Sequence, residues 1–286
     1  MNNNKYTDPS ELPFAAPCRK LSDDAPLRWL QKGVDDLRAA PRQSLVYGVL
    51  TVLLSWAMTV ATMQFGNIGL YLGLVSGFVF AGPWLALTLY AISLRLERGE
   101  KVSLRLSIRD AGSVIGSAMI FAVVLVIVLL VWARAANTMY IFFPEVANPS
   151  YSQLAVFLIA GISVGALFCL VVFAVSAFSL PMLIDRKADA VTAVVTSVNA
   201  VMRNKYPLLL WAVMISCLIM IAALTAWVAL VVIMPVLGHA SWHAYRETID
   251  AEQWPSNELK SKRQRISTYN LECNRFKLTP SNSMYG

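Results

Sequence analysis

Charged residues are scarce in this chain of 286 residues: only 14% are Asp, Glu, Lys or Arg, whereas 57% are hydrophobic. Four long stretches contain no charged residue and no histidine, at 44–94, 113–133, 153–180 and 206–238. A soluble domain of this size cannot bury so much apolar surface, so the composition excludes that class. We predict an integral membrane protein of the all-α class, a polytopic bundle of transmembrane helices.

Ionisable side chains are missing from the interior of every apolar stretch. Ion-coupled pumps and proton relays usually carry such groups at mid-membrane, so a charge-coupled transporter is disfavoured. A carrier or channel for a neutral or lipidic solute remains an alternative. The four cysteines form no C-x-x-C pair and indicate no disulfide framework. The polar amino-terminal segment lacks an apolar core with a cleavage site, so we expect no cleaved secretory signal.

Apolar length predicts the first four membrane helices. A hydrocarbon core of about 30 Å needs about 20 apolar residues per helix. The stretch 44–94 is long enough for two helices, near 44–64 and 68–94, with the turn at "QFGN". The stretches 113–133 and 153–180 each supply one more.

The last apolar block, 206–246, fits either one long helix or a tight hairpin near Thr225. Lys and Arg residues accumulate in cytoplasmic segments of membrane proteins. With a hairpin, and therefore six spans, every Lys and Arg except Arg134 faces the cytoplasm. With five spans, the basic carboxyl-terminal segment would be exported. We therefore predict six transmembrane helices, with both termini cytoplasmic.

Two segments have helical periodicity without spanning character, near 26–40 and 188–203. The first carries an apolar stripe at Leu27, Leu30, Val34 and Leu37, and the second at Val191, Val194, Val195, Val198 and Met202. Because each precedes a span, we predict two amphipathic helices lying in the cytoplasmic interface, as connectors more than as membrane sensors. The predicted domains are a disordered amino terminus at 1–25, a membrane domain at 26–250 and a basic disordered tail at 251–286.

Glycines recur at four-residue spacing in three apolar stretches. Small residues at this spacing let helix backbones approach closely in lipid. We predict helix packing, within one bundle or in a homo-oligomer, at the following positions: Gly69, Gly73, Gly77, Gly112, Gly116, Gly161 and Gly165.

The only two histidines, His239 and His243, lie in "GHASWHAYR" and share one helix face. A zinc site needs three or four ligands, and Glu247 or Asp250 would have to complete it. Paired haem ligation normally uses two helices. Aromatic and basic residues beside the pair, Tyr245 and Arg246, are typical of helix ends at the membrane surface. We therefore interpret this segment as a wet, hydrogen-bonded helix end, and expect no metal or cofactor.

Four ordered blocks resemble the uncharacterised bacterial integral-membrane family catalogued as domain of unknown function 2189. They are "RWLQKGVDDLRAAPRQSLVYG", "AGPWLALTLYAISLRLERGE", "LPMLIDRKADAVTAVVTSVNAV" and "PVLGHASWHAYRE", which together cover about residues 26 to 250. The resemblance implies a six-span inner-membrane protein and no established activity. Some relatives carry a cytochrome oxidase label, but two histidines on one helix cannot supply that catalytic core.

The hypothesis that follows is a non-enzymatic structural, scaffolding or accessory protein. It would act through helix packing with itself or a membrane partner, in contact with lipids and without nucleic acid. The carrier or channel is the first alternative, and an accessory subunit of a respiratory oxidase complex is a weaker one.

Overall fold

The computed structural model describes residues 13–66, 68–139 and 150–257, and the regular structure in these ranges is helical. The helices are α1 (Ala25–Ala39), α2 (Pro41–Phe65), α3 (Ile68–Glu97), α4 (Leu104–Gly112), α5 (Ile115–Met139), α6 (Tyr151–Ser176), α7 (Ser179–Asp185), α8 (Ala190–Arg203), α9 (Lys205–Leu224) and α10 (Leu230–Thr248). Strand-like pairing in the described ranges is limited to isolated bridges. The all-helical prediction is confirmed.

Four helical segments are long and apolar enough to cross a membrane: Pro41–Phe65, Ile115–Met139, Leu154–Asp185 and Lys205–Leu224. They correspond to α2, α5, α6 continued through α7, and α9. α10 is not among them because its second half is polar. The membrane-helix character is confirmed, whereas the predicted number of six spans is not.

The block at 206–246 forms a hairpin. α9 ends at Leu224, residues 225–229 form the turn, and α10 begins at Leu230. The turn predicted near Thr225 is therefore confirmed, and a single long helix is excluded.

Both segments predicted to be interfacial helices are helical, as α1 and α8. The Asp189 carboxylate caps α8 by accepting a hydrogen bond of 2.8 Å from the Thr192 amide. α1 buries Trp29 and Gly33 rather than its predicted leucine stripe. Leu27, in that stripe, is 60% exposed. This part of the stripe is thus left uncovered by the chain, as an interfacial helix requires.

Residues 13–24 differ from the predicted disordered amino terminus. The Ala16 amide donates to the Thr196 hydroxyl, and the Leu21 amide donates to the Asn204 side chain. Both Ala16 and Leu21 are buried. This short segment packs beside α8 and the end of α10, because its alanine and leucine complete the apolar cluster there. Residues 1–12 and 258–286, including most of the predicted tail, lie outside the described residues.

The packed core lies at one end of the helices. The largest cluster of buried side chains joins α1, α7, α8 and α10 with the last turns of α3, and it includes Trp29, Met182 and Trp242. No described residue of α6 is buried, and α5 buries only Ala118, Phe121 and Ala122. The chain is therefore compact at the end that carries the polar loops and loosely packed along its apolar helices.

α2 and α10 make backbone contact at Gly48. A Cβ atom added to Gly48 would overlap the backbone of Val231, whereas one added to Gly77 would meet no described atom within 4 Å. We expect Gly48→Ala to lower the free energy of unfolding in detergent by about 1–3 kcal/mol, since the backbones must separate. Gly77→Ala, the matched control, should be neutral or stabilise by up to about 1 kcal/mol, because alanine favours helix.

Thermal denaturation followed by circular dichroism measures both variants. Equal transition temperatures for Gly48→Ala and Gly77→Ala would contradict the close approach.

Candidate functional site

The second half of α10 carries the four residues singled out in the sequence: His239, His243, Tyr245 and Arg246, called here the polar cluster. Their helix passes α1, α2, α3 and α7 within a few turns. Each side chain of the cluster reaches a different set of neighbours.

His239 is fully buried between α2 and α3. Its Nε2 lies 2.9 Å from the Ser44 hydroxyl and its Nδ1 lies 2.8 Å from the Ser93 hydroxyl. A hydroxyl can donate or accept, so the two serines satisfy either tautomer of the ring. The prediction of a wet helix end is wrong for His239, because α1 and the adjacent ends of α2 and α3 cover this level of α10.

His243 lies one turn further along and contacts α1. Its Nε2 is 2.9 Å from Asp36 Oδ2, and the two side chains are 17% and 15% exposed. This contact requires α1 to lie close to α10, and Gly33 provides the space: a Cβ there would approach Val236 O to 2.6 Å. His243 therefore has the hydrogen-bonded, partly exposed setting that the sequence predicted.

The histidines do not converge on a common ligand. The residues proposed to complete a metal site are engaged elsewhere: Glu247 bonds to α1, and Asp250 pairs with Arg19 at 3.5 Å. Within the described ranges, no group of three or more His, Cys, Asp or Glu side chains is placed to hold a metal ion.

Asp185, at the end of α7, is the most deeply buried carboxylate in contact with the cluster, with its side chain 4% exposed. The Tyr245 hydroxyl donates to its Oδ2 at 2.9 Å, and Arg186 Nε donates at the same distance. Arg246 lies at 3.4 Å and Arg98 at 3.8 Å. A buried carboxylate is tolerable only with such compensation. Asp185 thereby joins α7 to the ends of α3 and α10.

Two buried indoles hold two further carboxylates. Trp242 Nε1 donates to Glu97 at 2.9 Å, and Trp29 Nε1 donates to Glu247 at 2.9 Å. Arg246 also pairs with Glu97 at 2.9 Å. These contacts connect α10 to α3 and to α1. These contacts were not predicted. The sequence does contain a signal for them, because Glu97 is the last residue of α3 and Glu247 lies in the last turn of α10.

Arg28 extends the network to the start of α1. It pairs with Glu247 and with Asp24. Hydrogen bonds from Arg28 and from the Ser22 hydroxyl hold the pKa of Asp24 at about 2, below its usual range. Because Asp24 and Arg28 are at the surface, this pairing orients α1 more than it stabilises the fold.

An open cavity of about 650 Å³ lies over the network. Its walls are Arg28, Lys32, Asp35, Asp36, Glu97, His243, Arg246 and Glu247. Each carboxylate in this wall has an ion-pair or hydrogen-bond partner. Among the described residues, the wall consists of charged and imidazole side chains. The arrangement is suited to holding the surrounding helices in register.

The predicted packing glycines are placed differently. At Gly77, Gly112, Gly116, Gly161 and Gly165 an added Cβ would meet no described atom within 4 Å. Gly69 and Gly73 lie outside the residues whose surroundings the structure describes. No other part of the described chain therefore packs closely against these five glycines. Close approaches between helices occur instead at Gly33, Gly48 and Gly238, none of which belongs to the predicted pairs.

A sequence model of a family described as predicted integral membrane protein, domain of unknown function 2189, matches residues 70–185. The resemblance is confirmed over this segment. It runs from α3 to α7 and contains Glu97 and Asp185, two of the carboxylates that bind α10. α1, α2, α8, α9 and α10 lie outside the match. Two of the four resembling blocks therefore remain predictions, and the block at 180–201 is matched only over residues 180–185. No curated protein and no solved structure is significantly similar to the chain.

We expect Asp185→Asn to lower the free energy of unfolding by about 3 kcal/mol, because it removes the buried carboxylate that pairs with the Arg186 guanidinium, whose side chain is 14% exposed. Asp35→Asn is the matched control: its pair with Arg38, 3.4 Å apart, is exposed, so the loss should stay below about 1 kcal/mol. Thermal unfolding in detergent compares the two, and similar losses would contradict the role given to Asp185.

Proposed function

We propose that this protein is a non-enzymatic, multi-pass protein of a bacterial inner membrane that packs its helices against a second copy or a membrane partner. The observation that carries the proposal is the open glycine face of α6, at Gly161 and Gly165. The family match supports an integral membrane protein and assigns no activity.

One side of α6 is exposed in the described part of the chain, where Val156, Ile159 and Ile162 are 69%, 65% and 68% exposed. Lipid can cover such side chains. Gly161 and Gly165 lie on the other side of α6, and an added Cβ at either would meet no described atom within 4 Å, so this side presents open backbone. In lipid, backbones that can approach closely gain dispersion contacts and weak hydrogen bonds, so such faces favour a partner helix.

α5 offers a second surface of the same kind. Gly116 is open on its first turn, and Ile120 and Ile127 are 61% and 55% exposed further along. α5 and α6 are adjacent in the fold.

The charge distribution supports cytoplasmic termini. Arg28, Arg98, Arg186 and Arg246 gather around the same carboxylate network, whereas Arg134 lies near the far end of α5. Basic residues favour the cytoplasmic side. We therefore assign the network end to the cytoplasm. Six crossings, like any even number of crossings, place both termini on the cytoplasmic side.

A reporter that is fluorescent only when it folds in the cytoplasm, fused after Gly286, should be bright in intact bacteria. An alkaline phosphatase fused at the same point should be inactive, since it requires export. The reverse pattern would contradict the orientation and the cytoplasmic placement of the polar cluster with it.

Gentle detergent extraction followed by native mass measurement tests association. We expect a particle that contains two copies or a second protein. Replacing Gly161 and Gly165 together by Leu should shift this particle toward the monomer by about tenfold or more in dissociation constant, because the larger side chains separate the backbones.

Ser163→Leu is the matched control. Ser163 lies on the side of α6 opposite the two glycines, beside the exposed Val156 and Ile159, and its hydroxyl donates to Ile159 of its own helix. It should leave the particle unchanged. A wild-type particle that is strictly monomeric and free of any partner would overturn the proposed function.

A further inference from the structure

The length of α2 gives a measure of depth in the membrane. Its apolar run from Leu45 to Phe65 contains no charged residue and is about 31 Å long at 1.5 Å per residue. That length matches the hydrocarbon thickness of about 30 Å. The inference below rests on α2 crossing the membrane, as the proposed function also requires.

α10 runs antiparallel to α2, and the contacts between the two helices give the depth of the hairpin relative to α2. His239 contacts Ser44 near the start of α2, and Val231 meets Gly48 one turn later. At the turn, Trp56 Nε1 donates to the carbonyl of Ala226 at 2.7 Å. The hairpin tip therefore lies level with Trp56.

α2 continues beyond the tip for nine residues, or about 13 Å. Not one residue at 57–66 is buried by the described chain. Because the Trp56 side chain is long, the tip can lie up to about one helical turn, 5.4 Å, further along α2 than the Trp56 backbone. Even then, more than half of the roughly 13 Å between the tip and the end of α2 remains. The tip of α9–α10 stops inside the apolar layer that α2 crosses.

From this geometry we propose that α9 and α10 form a re-entrant hairpin, which enters the membrane from the network end and returns without crossing it. The protein then has fewer crossings than the apolar stretches predict, with both ends of the hairpin on one side.

The composition of the turn fits this position. Residues 225–229 read "TAWVA", with Thr225 as the one hydroxyl, whereas the sequence at the end of α2 reads "QFGN" and contains a glycine and two amide side chains. A turn exposed to water usually carries Gly, Asn, Asp, Pro or Ser. Ala226 and Trp227 have positive φ angles of 49° and 70°, where glycine or asparagine would be easier. Apolar side chains occupy the turn despite the backbone strain.

Every amide of the turn has an acceptor. The amides of Thr225, Ala226, Trp227 and Val228 donate to backbone carbonyls at 2.7–3.1 Å, and that of Ala229 donates to the Thr225 hydroxyl at 3.2 Å. Trp56 supplies the donor for the Ala226 carbonyl. Hydrocarbon offers no water to replace a missing partner, so irregular backbone within the membrane must be satisfied in this way. A turn at the far surface would not need it.

Charge does not separate a re-entrant hairpin from two crossings. Arg203 precedes α9, Lys205 begins it and Arg246 lies in the last turn of α10, all on the same side in both cases. The depth of the tip is the observable that differs.

Single cysteines in a variant without the native Cys18, Cys169, Cys217 and Cys273 test that depth. Val228→Cys reports the hairpin tip and Phe65→Cys reports the far end of α2. Both native side chains are exposed, at 51% and 67%, so neither substitution removes a buried contact.

In intact cells, a membrane-impermeant maleimide should label the V228C variant at least tenfold more slowly than the F65C variant. Both variants should react after denaturation in SDS. Labelling of V228C as fast as that of F65C would overturn the re-entrant hairpin.

A nitroxide at each position in reconstituted bilayers gives a second measurement that does not depend on orientation. Relative accessibility to oxygen and to a water-soluble nickel chelate reports depth. We expect the probe at position 228 at acyl-chain depth, and a headgroup depth overturns the hairpin whatever the labelling shows. A probe at position 65 deep in the acyl chains would instead contradict the crossing of α2, and the topology in the proposed function with it.

Discussion

α10 lies against two other helices with backbone meeting backbone, and the compact part of the protein depends on this approach. Gly33 of α1 admits the Val236 carbonyl, and Gly48 of α2 admits the backbone of Val231. Gly238 of α10 itself makes room for Leu89 of α3. Interior packing leaves few voids, so a side chain at any of these places would displace its neighbour. The ion pairs and hydrogen bonds of α10 have their short distances because its axis is already close.

The polar network adds direction to that packing. Burying Asp185 costs desolvation energy, and its three guanidinium neighbours and the Tyr245 hydroxyl offset the cost only in one arrangement. Apolar contacts tolerate rotation and sliding of helices much better. The network therefore selects the rotation of α10 relative to α3 and α7, whereas the hydrophobic cluster supplies the larger part of the stabilisation.

Hydropathy was sufficient to locate the apolar helices, the two interfacial helices and the hairpin near Thr225, because apolar length and charge placement are properties of the sequence itself. Which face of a helix is covered was not predictable. His239 is buried because Ser44 and Ser93, distant in sequence, reach it. In a uniformly apolar helix the pattern has no polar side, so glycine spacing did not indicate that Gly48 is packed and Gly161 is open. The partners of Asp185 at Arg98, Tyr245 and Arg246 could not be predicted, because they are distant in sequence and only the fold brings them together.

α10 changes character at Gly238, and this change explains how a re-entrant hairpin can be held. Residues 230–237 are apolar and lie beside α2, whereas His239, His243 and Arg246 lie in the polar network. A helix that crosses the membrane is anchored by polar groups at both surfaces. A hairpin that turns within the lipid has no far-side anchor, so it must be fixed at its base. The aromatic, charged and hydroxyl contacts of α10 are concentrated at that base, and the indole of Trp56 is the additional polar contact at the tip.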